Sequence, residues 1–467
     1  MIAATIDTAV TLGLGMGAYG GLFAFEWMRQ RLVVARRNRI PYRILVGGVR
    51  GKTTVVRLLH AGLKAAGIAT VGRVTGDAPL YLDASGQIAA WPRGQSPDIR
   101  ELRDFLLDRR WTPEGIQAVV FENMAIRPEL ARVVSAEFVD PTHAVICGAG
   151  PDHLDVLPTD PNLRCAALLE GIPKGCKLLV PKSPHSDLLA STAIRLGLNV
   201  QPDIERLPEC GWLGPAATPN SKLPEFNIPK GDDSQDIETS HDPYPNGDGC
   251  LVLSPLVAAA ESLAITVMGV IRDIVQRTAP DRETLEAALE RSRKAIAPLL
   301  RGFSGLRVYC INNDRYIVDA LSANDPESTD ALLAAIYDRF ARGKCELGKS
   351  SLPDWGGLIY CHREDRPERL EAFLPLLRKY GPVVFAGRVP HKSVLEGISF
   401  TGFVSHKLAQ RPISSPVPHR LDDGGDVGSN EMWSFIPPHC TMVAIGNTSG
   451  PGQELRRFLA KCGSAPC

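Results

Sequence analysis

The sequence has no excess of charge of either sign, since 52 Lys and Arg residues balance 52 Asp and Glu residues. A neutral chain has no long-range field that draws it onto nucleic acid, so nucleic acid is a poor candidate for a partner. Its 11 cysteines are scattered and form no close CxxC pair, which speaks against a disulfide framework or a zinc ligand set. We therefore expect free thiols in a reducing cytosol.

The N-terminus carries a continuous apolar run from Ala9 to Phe25, near the lower limit of about 17 residues for a helix that spans a bilayer. A cleaved signal peptide would place its positive charge before such a run. Here the charge comes after the run, which would hold the rest of the chain in the cytoplasm, and the basic residues are Arg29, Arg31, Arg36, Arg37 and Arg39. We predict one membrane-spanning helix, with a buried helix of a soluble protein as the alternative.

Three glycines within this run fall on one face of the predicted helix. Gly13, Gly17 and Gly21 lie four residues apart, a spacing that lets a second helix approach closely in lipid. We therefore expect contact with a membrane partner subunit. The sequence leaves the oligomeric state open, a homo-oligomer included.

The rest of the 467 residues suffices for two or three domains. Short apolar, β-branched runs alternate with stretches whose apolar residues recur at helical spacing, and polar segments follow the runs. This pattern predicts an α/β fold with a mostly parallel sheet and a site along the carboxyl ends of its strands. The first predicted strands are Arg43–Val46, Ile68–Val74, Ile116–Phe121 and Thr142–Cys147. Later in the chain, Leu251–Gln276 has a helical pattern and Leu306–Val318 is strand-like.

A glycine-containing loop follows the first of these strands. The segment Gly48–Thr54 reads GVRGKTT and leads into a helical pattern from Val55. Backbone N–H groups of such a turn at a helix N-terminus bind phosphate, while Lys52 reaches the β- and γ-phosphates and the Thr53 hydroxyl holds Mg²⁺. The full GxxxxGK[ST] pattern requires Gly where this chain has Val46, so the string is GxxGKTT. Its position between a strand and a helix predicts nucleotide binding.

Two further strand-end segments carry candidate residues. Glu122 directly follows a predicted strand, where its carboxylate would lie near a phosphate-bound Mg²⁺; a helix-capping Glu on the surface is the alternative. His153, in Asp152-His153-Leu154-Asp155, also follows a strand. Carboxylates on both sides suit a metal ligand or an oriented imidazole, although Asp/His pairs are also common in turns.

Two polar turns come later in the chain. Asn324–Thr329 reads NDPEST, a turn whose Ser328 or Thr329 would cap the next helix. Gly446–Gly452 is a Gly-rich turn between a predicted strand and a predicted helix. Each is a weak signal by itself.

Taken in order, these segments resemble the Mur ligase superfamily, and more closely the ligase subunit of poly-γ-glutamate (capsule) synthase. The superfamily has a GxxGK[ST][ST] loop, a strand-end Glu, a DHLD segment and an Asn-Pro-x-Ser turn that enters its C-terminal domain. The strings that carry the closer resemblance are Gly48–Thr54, Val74–Pro79, Glu122–Leu130, Asp152–Val156, Ala323–Thr329, Arg363–Arg369 and Ile445–Asn447.

The resemblance implies an ATP-dependent ligase that joins an amine to a carboxylate through an acyl phosphate. Lys52 and a Mg²⁺ held by Thr53 and Glu122 would neutralise the transferring phosphoryl group. Thr75 would contact the γ-phosphate or its metal, and His153 would hold or orient a second Mg²⁺. Lys52, Glu122 and His153 are thus the implied catalytic residues.

The resemblance also implies that the nucleotide, ATP, is bound between two domains. Asn324 and Asp325 would come over from the C-terminal domain and close on it. The implied substrates are glutamate and the growing poly-γ-glutamate chain, and the implied partners are membrane subunits of a synthase and export complex. The other implied nucleotide-binding positions belong to the loop: Gly48, Arg50, Gly51, Lys52, Thr53 and Thr54.

The chain departs from the superfamily around His153. Cys147–Gly150 stands where the superfamily has an Asn, and Leu157–Thr159 replaces a usual Gly. Many members carry a carbamylated Lys after the DHLD segment, whereas Val156–Ile172 contains no Lys. Whether a second metal or a carbamylated Lys is used therefore stays open.

We accordingly predict three parts. Residues 1–39 form the transmembrane helix and its basic segment, residues 40–302 a Mur-type ATP-binding ligase domain, and residues 303–467 a smaller C-terminal α/β domain. Residues 203–248, rich in Pro, Gly, Asn, Ser and Asp, interrupt the central domain as a loop insertion. The main hypothesis is a ligase that extends poly-γ-glutamate at the cytoplasmic membrane face. The alternative is a membrane-tethered P-loop NTPase that couples ATP hydrolysis to a membrane partner.

Overall fold

The computed structural model describes residues 2–75, 79–92, 97–154, 156–201, 250–303, 305–311, 315–323, 325–343, 345–347, 350–363, 367–387, 390, 395–404, 436–448 and 450–462. The predicted insertion at residues 203–248 and the predicted site residue Asn324 lie outside these ranges. Within them the chain forms two large sheets, each with helices on both faces.

The first sheet has eight strands, numbered in chain order as β1 Tyr42–Gly47, β2 Thr70–Val74, β3 Leu80–Leu82, β4 Ile88–Ala90, β5 Ala118–Glu122, β6 His143–Ile146, β7 Lys177–Leu179 and β8 Asn199–Val200. Their spatial order is β4-β3-β2-β5-β1-β6-β7-β8. Six strands run parallel, and β3 and β4 form an antiparallel edge. The predicted mostly parallel sheet is confirmed.

Strand β1 lies in the middle of this sheet, between β5 and β6. The chain leaves β1 toward β2 on one side and later returns from β5 to β6 on the other side, so the strand order reverses at β1. In open α/β sheets such a reversal opens a crevice at the carboxyl ends of the strands, where ligands bind. The loop after β1 therefore starts at the position where a site is expected.

The helices of this part of the chain are α1 Ile2–Arg37, α2 Lys52–Ala65, α3 Arg100–Leu107, α4 Pro128–Arg132, α5 Pro161–Leu168, α6 Ser186–Arg195, α7 Ser254–Gln276 and α8 Arg282–Phe303. A π-helical segment, Val133–Val139, continues α4. Helices α2, α7 and α8 cover one face of the sheet. The C-terminal part of α1, with α3, the π-helical segment, α5 and α6, covers the other face.

Close packing fixes α2 and, with it, the loop at its N-terminus. Val55 and Leu58 of α2 are fully buried, and each such side chain contributes about 1.5–3 kcal/mol of burial free energy. A Cβ at Gly62 would lie 2.3 Å from Ile271 Cδ1 and 2.8 Å from Ile296 Cδ1. The glycine thus lets α7 and α8 approach the backbone of α2.

Helix α7 is long and apolar enough to cross a bilayer. About 44% of its apolar stretch is buried inside the protein. It packs against α2 and α8 beside the first sheet. Packing in the hydrophobic core of the first sheet therefore accounts for the apolar composition of α7.

Helix α1 continues as one helix through the predicted apolar run and the basic segment that follows it. Its C-terminal part is held in place: Val33 is fully buried, and the Arg29 guanidinium lies 2.7 Å from the Asp104 carboxylate on α3. Gln30 also donates a hydrogen bond to the Glu137 carbonyl at 3.1 Å. By contrast, a set of large apolar side chains on α1 is exposed: Tyr19, Leu22, Phe23, Phe25, Trp27, Met28 and Leu32.

The second sheet has seven strands: β9 Cys250–Val252, β10 Gly305–Ile311, β11 Arg315–Asp319, β14 Asp354–His362, β15 Val383–Gly387, β16 Phe400–Val404 and β17 Cys440–Gly446. A short hairpin comprises β12 Glu346–Leu347 and β13 Ser350–Ser351. The sheet order is β16-β15-β14-β17-β11-β10-β9. The first five strands run parallel to one another, β10 pairs antiparallel with β11, and β9 pairs antiparallel with β10. Its helices are α9 Pro326–Ala341, α10 Pro367–Tyr380 and α11 Pro451–Cys462.

Two local predictions differ from the structure. The predicted single strand Leu306–Val318 is the antiparallel pair β10 and β11. The predicted helix from Leu251 instead begins at Ser254, because residues 250–252 form β9 and pair with β10. Pro255 accounts for this start, since proline is accommodated in the first turn of a helix and favours extended backbone before it. The chain therefore contributes β9 to the second sheet before α7 and α8 pack against the first sheet.

Candidate active site at the junction of the two sheets

The loop after β1 is shaped by two glycines. Gly48 has a φ of 97° and Gly51 a φ of 83°, both in the left-handed region that other residues rarely adopt. A Cβ at Gly48 would lie 2.6 Å from the backbone N of Cys147, and Val49 N donates to Gly148 O at 3.1 Å. The loop is thus seated directly on the segment that follows β6, and the free N–H groups of α2 begin right after Gly51.

Lys52 folds back over this loop. Its Nζ donates to the carbonyl oxygens of Gly48 at 2.9 Å and of Val49 at 3.2 Å. Behind it, burial raises the pKa of the Cys147 thiol to about 12, with Lys52 opposing the shift and Glu122 adding to it. The thiol therefore stays neutral at physiological pH and does not neutralise the Lys52 charge.

Glu122, at the carboxyl end of β5, joins the loop to the next strand. The Thr53 hydroxyl donates to its two carboxylate oxygens at 3.1 and 3.2 Å, and Thr75 N donates to Oε2 at 3.0 Å. Glu122 is 4% exposed. Because parallel neighbours end at the same edge, β1, β2 and β5 bring Thr53, Thr75 and Glu122 together from distant parts of the sequence.

The Asp152–His153 corner lies after β6 at the same edge. His153 has a φ of 54°, and its backbone N–H donates to Asp152 Oδ1 at 2.9 Å. Asp152 is 8% exposed. Burial by itself would raise the pKa of Asp152, but the Arg369, His153 and Arg50 charges outweigh it and hold that pKa below its ordinary value. Asp152 is therefore a carboxylate at neutral pH.

The second sheet's unit contacts this edge through the loop itself. The Arg50 guanidinium forms an ion pair with the Asp325 carboxylate and donates to Ser322 O. Asp325 is 2% exposed and caps α9 by accepting a hydrogen bond from Ser328 N at 2.8 Å. Burial lowers the pKa of Arg50, opposed by the charges of the neighbouring carboxylates.

A second contact between the units lies beside the first. Arg369, on the first turn of α10, donates from Nη2 to Asp152 Oδ1 at 2.6 Å and from Nη1 to Asn447 Oδ1 at 2.9 Å. The Asn447 side chain in turn donates to Cys361 O at 3.0 Å. The side chains of Arg369 and Asn447 are almost completely buried. The two units are therefore in close contact at this point.

A cavity of about 450 Å³ opens at this edge. Lys52, Thr75, Glu122 and His153 line it together with Gly48. The apolar part of the lining comes from the segments after β5 and β6 and from α5: Met124, Ala125, Ile126, Ala131, Leu157, Ala167 and Leu168. The lining thus combines a lysine and a carboxylate with a set of apolar side chains.

The polar residues at this edge fit a nucleotide and a hard divalent cation. The tight loop leaves no room for a Cβ at Gly48, as a backbone cradle for phosphate requires. Thr53 and Glu122 present adjacent oxygen atoms, the donor type that Mg²⁺ prefers. Within the described ranges there is no cluster of three or more His, Cys, Asp or Glu side chains, so a metal here would rely on the hydroxyl, phosphate oxygens and water as well.

Most of the predicted site residues meet in this place. The structure brings Lys52, Thr75, Glu122 and His153 to one cavity and pairs the loop's Arg50 with Asp325, whereas Asn324 lies outside the described residues. Thr54 is part of the first turn of α2 and is partly buried. Which of these residues bind nucleotide or metal stays a prediction.

Comparison with known proteins adds an independent finding. Residues 308–462 match the family model of the poly-gamma-glutamate synthase CapB C-terminal domain. The C-terminal unit of this chain is therefore similar to that domain, and we refer to it as the CapB-type unit. The resemblance seen in the sequence strings is thereby confirmed.

Two curated relatives carry the same name. The PGA synthase CapB of Bacillus subtilis (strain 168) is 30% identical over 158 residues, which are 33% of this chain and 40% of that protein. The capsule biosynthesis protein CapB of Bacillus anthracis is 27% identical over 174 residues, which are 37% of this chain and 37% of that protein. The aligned part thus spans less than half the length of either relative.

A solved structure shows the likeness of fold across both units. It is a bifunctional folylpolyglutamate synthase/dihydrofolate synthase with Mn, AMPPNP and L-glutamate bound. The two chains are 13% identical, and the superposition covers 92% of this chain and 93% of that chain with a TM-score of 0.50. The predicted α/β architecture is thereby supported at the level of the fold.

Of the two contacts between the units, the sequence indicated the one made by Asp325 but not the one made by Arg369. Arg369 and Asn447 lie within strings that were recognised, but no local pattern indicated that Arg369 would bind both Asn447 and Asp152. The available signal was an arginine in the first turn of α10, because the dipole of a helix favours acidic residues at that end. The apolar part of the cavity lining was missed too, because Leu157 and Leu168 are ordinary apolar residues until the fold places them beside Met124.

Proposed function

We propose that this protein is an ATP-dependent amide ligase that forms γ-glutamyl bonds through an acyl phosphate and extends poly-γ-glutamate at the cytoplasmic membrane face. The observation that carries the proposal is the single cavity onto which Lys52, Glu122 and His153 converge beside the Gly48–Thr54 loop. A cavity that borders a phosphate loop and extends beyond it has space for a second reactant next to the γ-phosphate.

The chemistry requires charge neutralisation and alignment. The loop N–H groups and the N-terminus of α2 bind the phosphates of ATP, and Lys52 leaves the loop carbonyls to contact the transferring phosphoryl group. The acceptor carboxylate attacks that group, ADP leaves, and the amine of the incoming glutamate then displaces phosphate from the acyl phosphate and loses a proton. His153 lies at the cavity, where its imidazole holds or orients the reacting groups.

Mg²⁺ held by Thr53 and Glu122 supplies further neutralisation of phosphate charge when it is bound. Glu122 also fixes the loop geometry through its contacts with Thr53 and Thr75 N. The same side chain therefore has a structural and a ligand role in this proposal.

Glutamate as the substrate is supported by the relatives. Two of them are named for poly-γ-glutamate or capsule biosynthesis, and the folylpolyglutamate synthase holds L-glutamate together with AMPPNP and Mn. The proposed partners are membrane subunits that export the polymer. ATP and Mg²⁺ are the proposed cosubstrate and metal.

A membrane location is supported by helix α1. Its large apolar side chains from Tyr19 to Leu32 are exposed, while the basic end of the helix is held on the first unit by Arg29 and Val33. Arg31 lies over the Trp27 ring at 4.2 Å, the kind of aromatic and basic pairing that is typical of a membrane interface. The proposal places the preceding apolar run in the bilayer, with the glycine face toward a partner helix.

The test is an amino-acid screen on detergent-purified protein with ADP release as the readout. We expect glutamate and oligoglutamate to stimulate ADP release, and Lys52→Ala to abolish the stimulation. Lys64→Ala, at the other end of the same helix, is the matched control and retains activity. Stimulation by another amino acid alone would overturn the polymer assignment, and ATP turnover that needs no amine would favour the tethered NTPase.

A further inference from the structure

The contact between Arg369 and Asp152 joins the two units next to the cavity without lining it. The Arg369 side chain is 9% exposed and that of Asp152 8% exposed, and their closest atoms are 2.6 Å apart. Neither residue is among those that line the described cavity. A buried ion pair of this kind costs desolvation free energy for both partners, so a role beyond stability is a reasonable explanation for it.

Arg369 is itself held by the second sheet. Its Nη1 donates to Asn447 Oδ1 at 2.9 Å, and Asn447 is fixed by two hydrogen bonds to Cys361 O, from its backbone N at 3.1 Å and from Nδ2 at 3.0 Å. The guanidinium is a planar fork with rigid geometry. It therefore presents a fixed donor to the first unit only when α10 and β17 lie where the structure has them.

Asp152 links Arg369 to His153 through a shared oxygen atom. The same Oδ1 that accepts from Arg369 also accepts the backbone N–H of His153 at 2.9 Å. His153 has a φ of 54°, a conformation that costs free energy for a residue with a side chain and persists when its surroundings enforce it. The imidazole lines the cavity that also contains Lys52 and Glu122.

We propose that Arg369 is a positioning residue: through Asp152 it holds His153 in its left-handed conformation, so that the catalytic corner is complete only when the CapB-type unit is docked on the loop. The inference rests on the proposed ligase function for its kinetic consequence. The ion pair of Arg50 with Asp325 is the corresponding contact at the loop. Docking of the CapB-type unit thereby fixes both the loop and His153.

The first test is hydrogen exchange on the full-length protein in detergent, comparing wild type, Arg369→Gln and the matched control Arg378→Gln. Arg378 lies on the same helix and contacts only the Glu396 carbonyl among its described hydrogen bonds. We expect the amides around His153 to exchange at least about tenfold faster in Arg369→Gln than in the other two proteins, since loss of the contact lowers the local opening free energy. Equal exchange in all three would overturn the inference, whether or not the protein proves to be a ligase.

The second test is kinetic. We expect Arg369→Gln to lower kcat for amine-dependent ADP release by about 10- to 100-fold, with the KM for ATP within about twofold of wild type because the loop is untouched. Arg369→Lys should recover part of the loss, since it keeps the charge but not the fork. In a double-mutant cycle with Asp152→Asn the losses should be far from additive. Additive losses, or an equal rise in the KM for ATP, would contradict positioning through Asp152.

The two proposals fail in different ways. Wild-type protein without amine-dependent ADP release contradicts the proposed function, while the exchange comparison still decides the role of Arg369. An active wild-type protein whose Arg369→Gln variant shows unchanged kcat and exchange contradicts the inference alone.

Discussion

The Thr53 hydroxyl lies within hydrogen-bond distance of both oxygens of the Glu122 carboxylate, at 3.1 and 3.2 Å. The two residues are 69 positions apart in the chain and belong to α2 and β5. Their contact places a hydroxyl and a carboxylate side by side at the mouth of the loop. This is the donor pair on which the proposed metal site depends, and it gives the first prediction.

Glu122→Gln should lower the rate of amine-dependent ADP release by at least about 100-fold, the scale of losing a key electrostatic group. The amide keeps the size of the side chain but loses its charge, and because its NH₂ cannot accept hydrogen bonds, only one of the two oxygens beside Thr53 remains an acceptor. Thr53→Ser should stay active and Thr53→Val should not, because only serine keeps the hydroxyl. Steady-state rates over a range of Mg²⁺ concentrations measure this. An active Thr53→Val variant would argue against a ligand role for the hydroxyl.

Gly48→Ala should abolish nucleotide binding, with the Kd for ADP raised by at least about 100-fold. The new Cβ would lie 2.6 Å from the backbone N of Cys147, so the loop must move. Gly67→Ala is the matched control, because Gly67 has a similar φ of 93° and no atom within 4 Å of the added Cβ. It should cost roughly 1–2 kcal/mol of stability from the left-handed backbone alone and leave binding intact. Calorimetric titration with ADP distinguishes the two.

Deleting residues 1–25 should release the protein from membranes and leave nucleotide binding unchanged. The contacts that hold α1 on the first unit begin at Glu26, which pairs with Arg103, and continue through Arg29 and Val33. Deleting residues 1–37 should in addition lower the free energy of unfolding, because it uncovers the apolar surface under Val33 and breaks these pairs. Membrane flotation and thermal unfolding measure the two effects. Continued membrane association of the shorter deletion would contradict the proposed anchor.

Asp273→Asn should destabilise the protein at neutral pH, by about 1 kcal/mol after allowance for partial exposure. The carboxylate lies 2.9 Å from His143 Nε2 on β6 and pairs with Lys177 on β7, which ties α7 to the sheet edge opposite the cavity. The hydrogen bond from His143 and the Lys177 contact hold the pKa of Asp273 below its ordinary value of 3.8. A depressed pKa means that the stabilisation is present above the ordinary value and is lost as pH falls through the folded one.

The difference in unfolding free energy between wild type and Asp273→Asn should therefore shrink as the pH falls below the ordinary carboxyl pKa. Denaturant titrations at a series of pH values measure this difference. Glu286→Gln, in an exposed pair with Arg282 on α8, is the control and should have no measurable effect. A difference that grows as the pH falls below the ordinary carboxyl pKa would be incompatible with the sign of the shift.

Much of the first unit followed from the sequence. Runs such as Arg43–Val46 are apolar and β-branched because a parallel strand is buried on both faces, and the glycines at 48 and 51 mark positive φ values that few other residues allow. Placing polar residues at strand ends then sufficed to bring Glu122 and His153 to the loop, since neighbouring parallel strands end at one edge.

Local sequence could not predict the contacts between the two units. Arg369 meets Asp152 across 217 positions, β9 pairs with a strand from beyond two long helices, and α7, apolar enough for a membrane, is a core helix. Each of these three contacts depends on which surfaces become buried when the chain folds. A short stretch of sequence does not carry that information. The sequence by itself determined the central strands β1, β2, β5 and β6, the Gly48–Thr54 loop and the edge at which its partners meet. Only the tertiary structure decided how the CapB-type unit docks at that edge. The physical reason is that Arg369 and Asp152 become buried only where the surfaces of the two units come into contact.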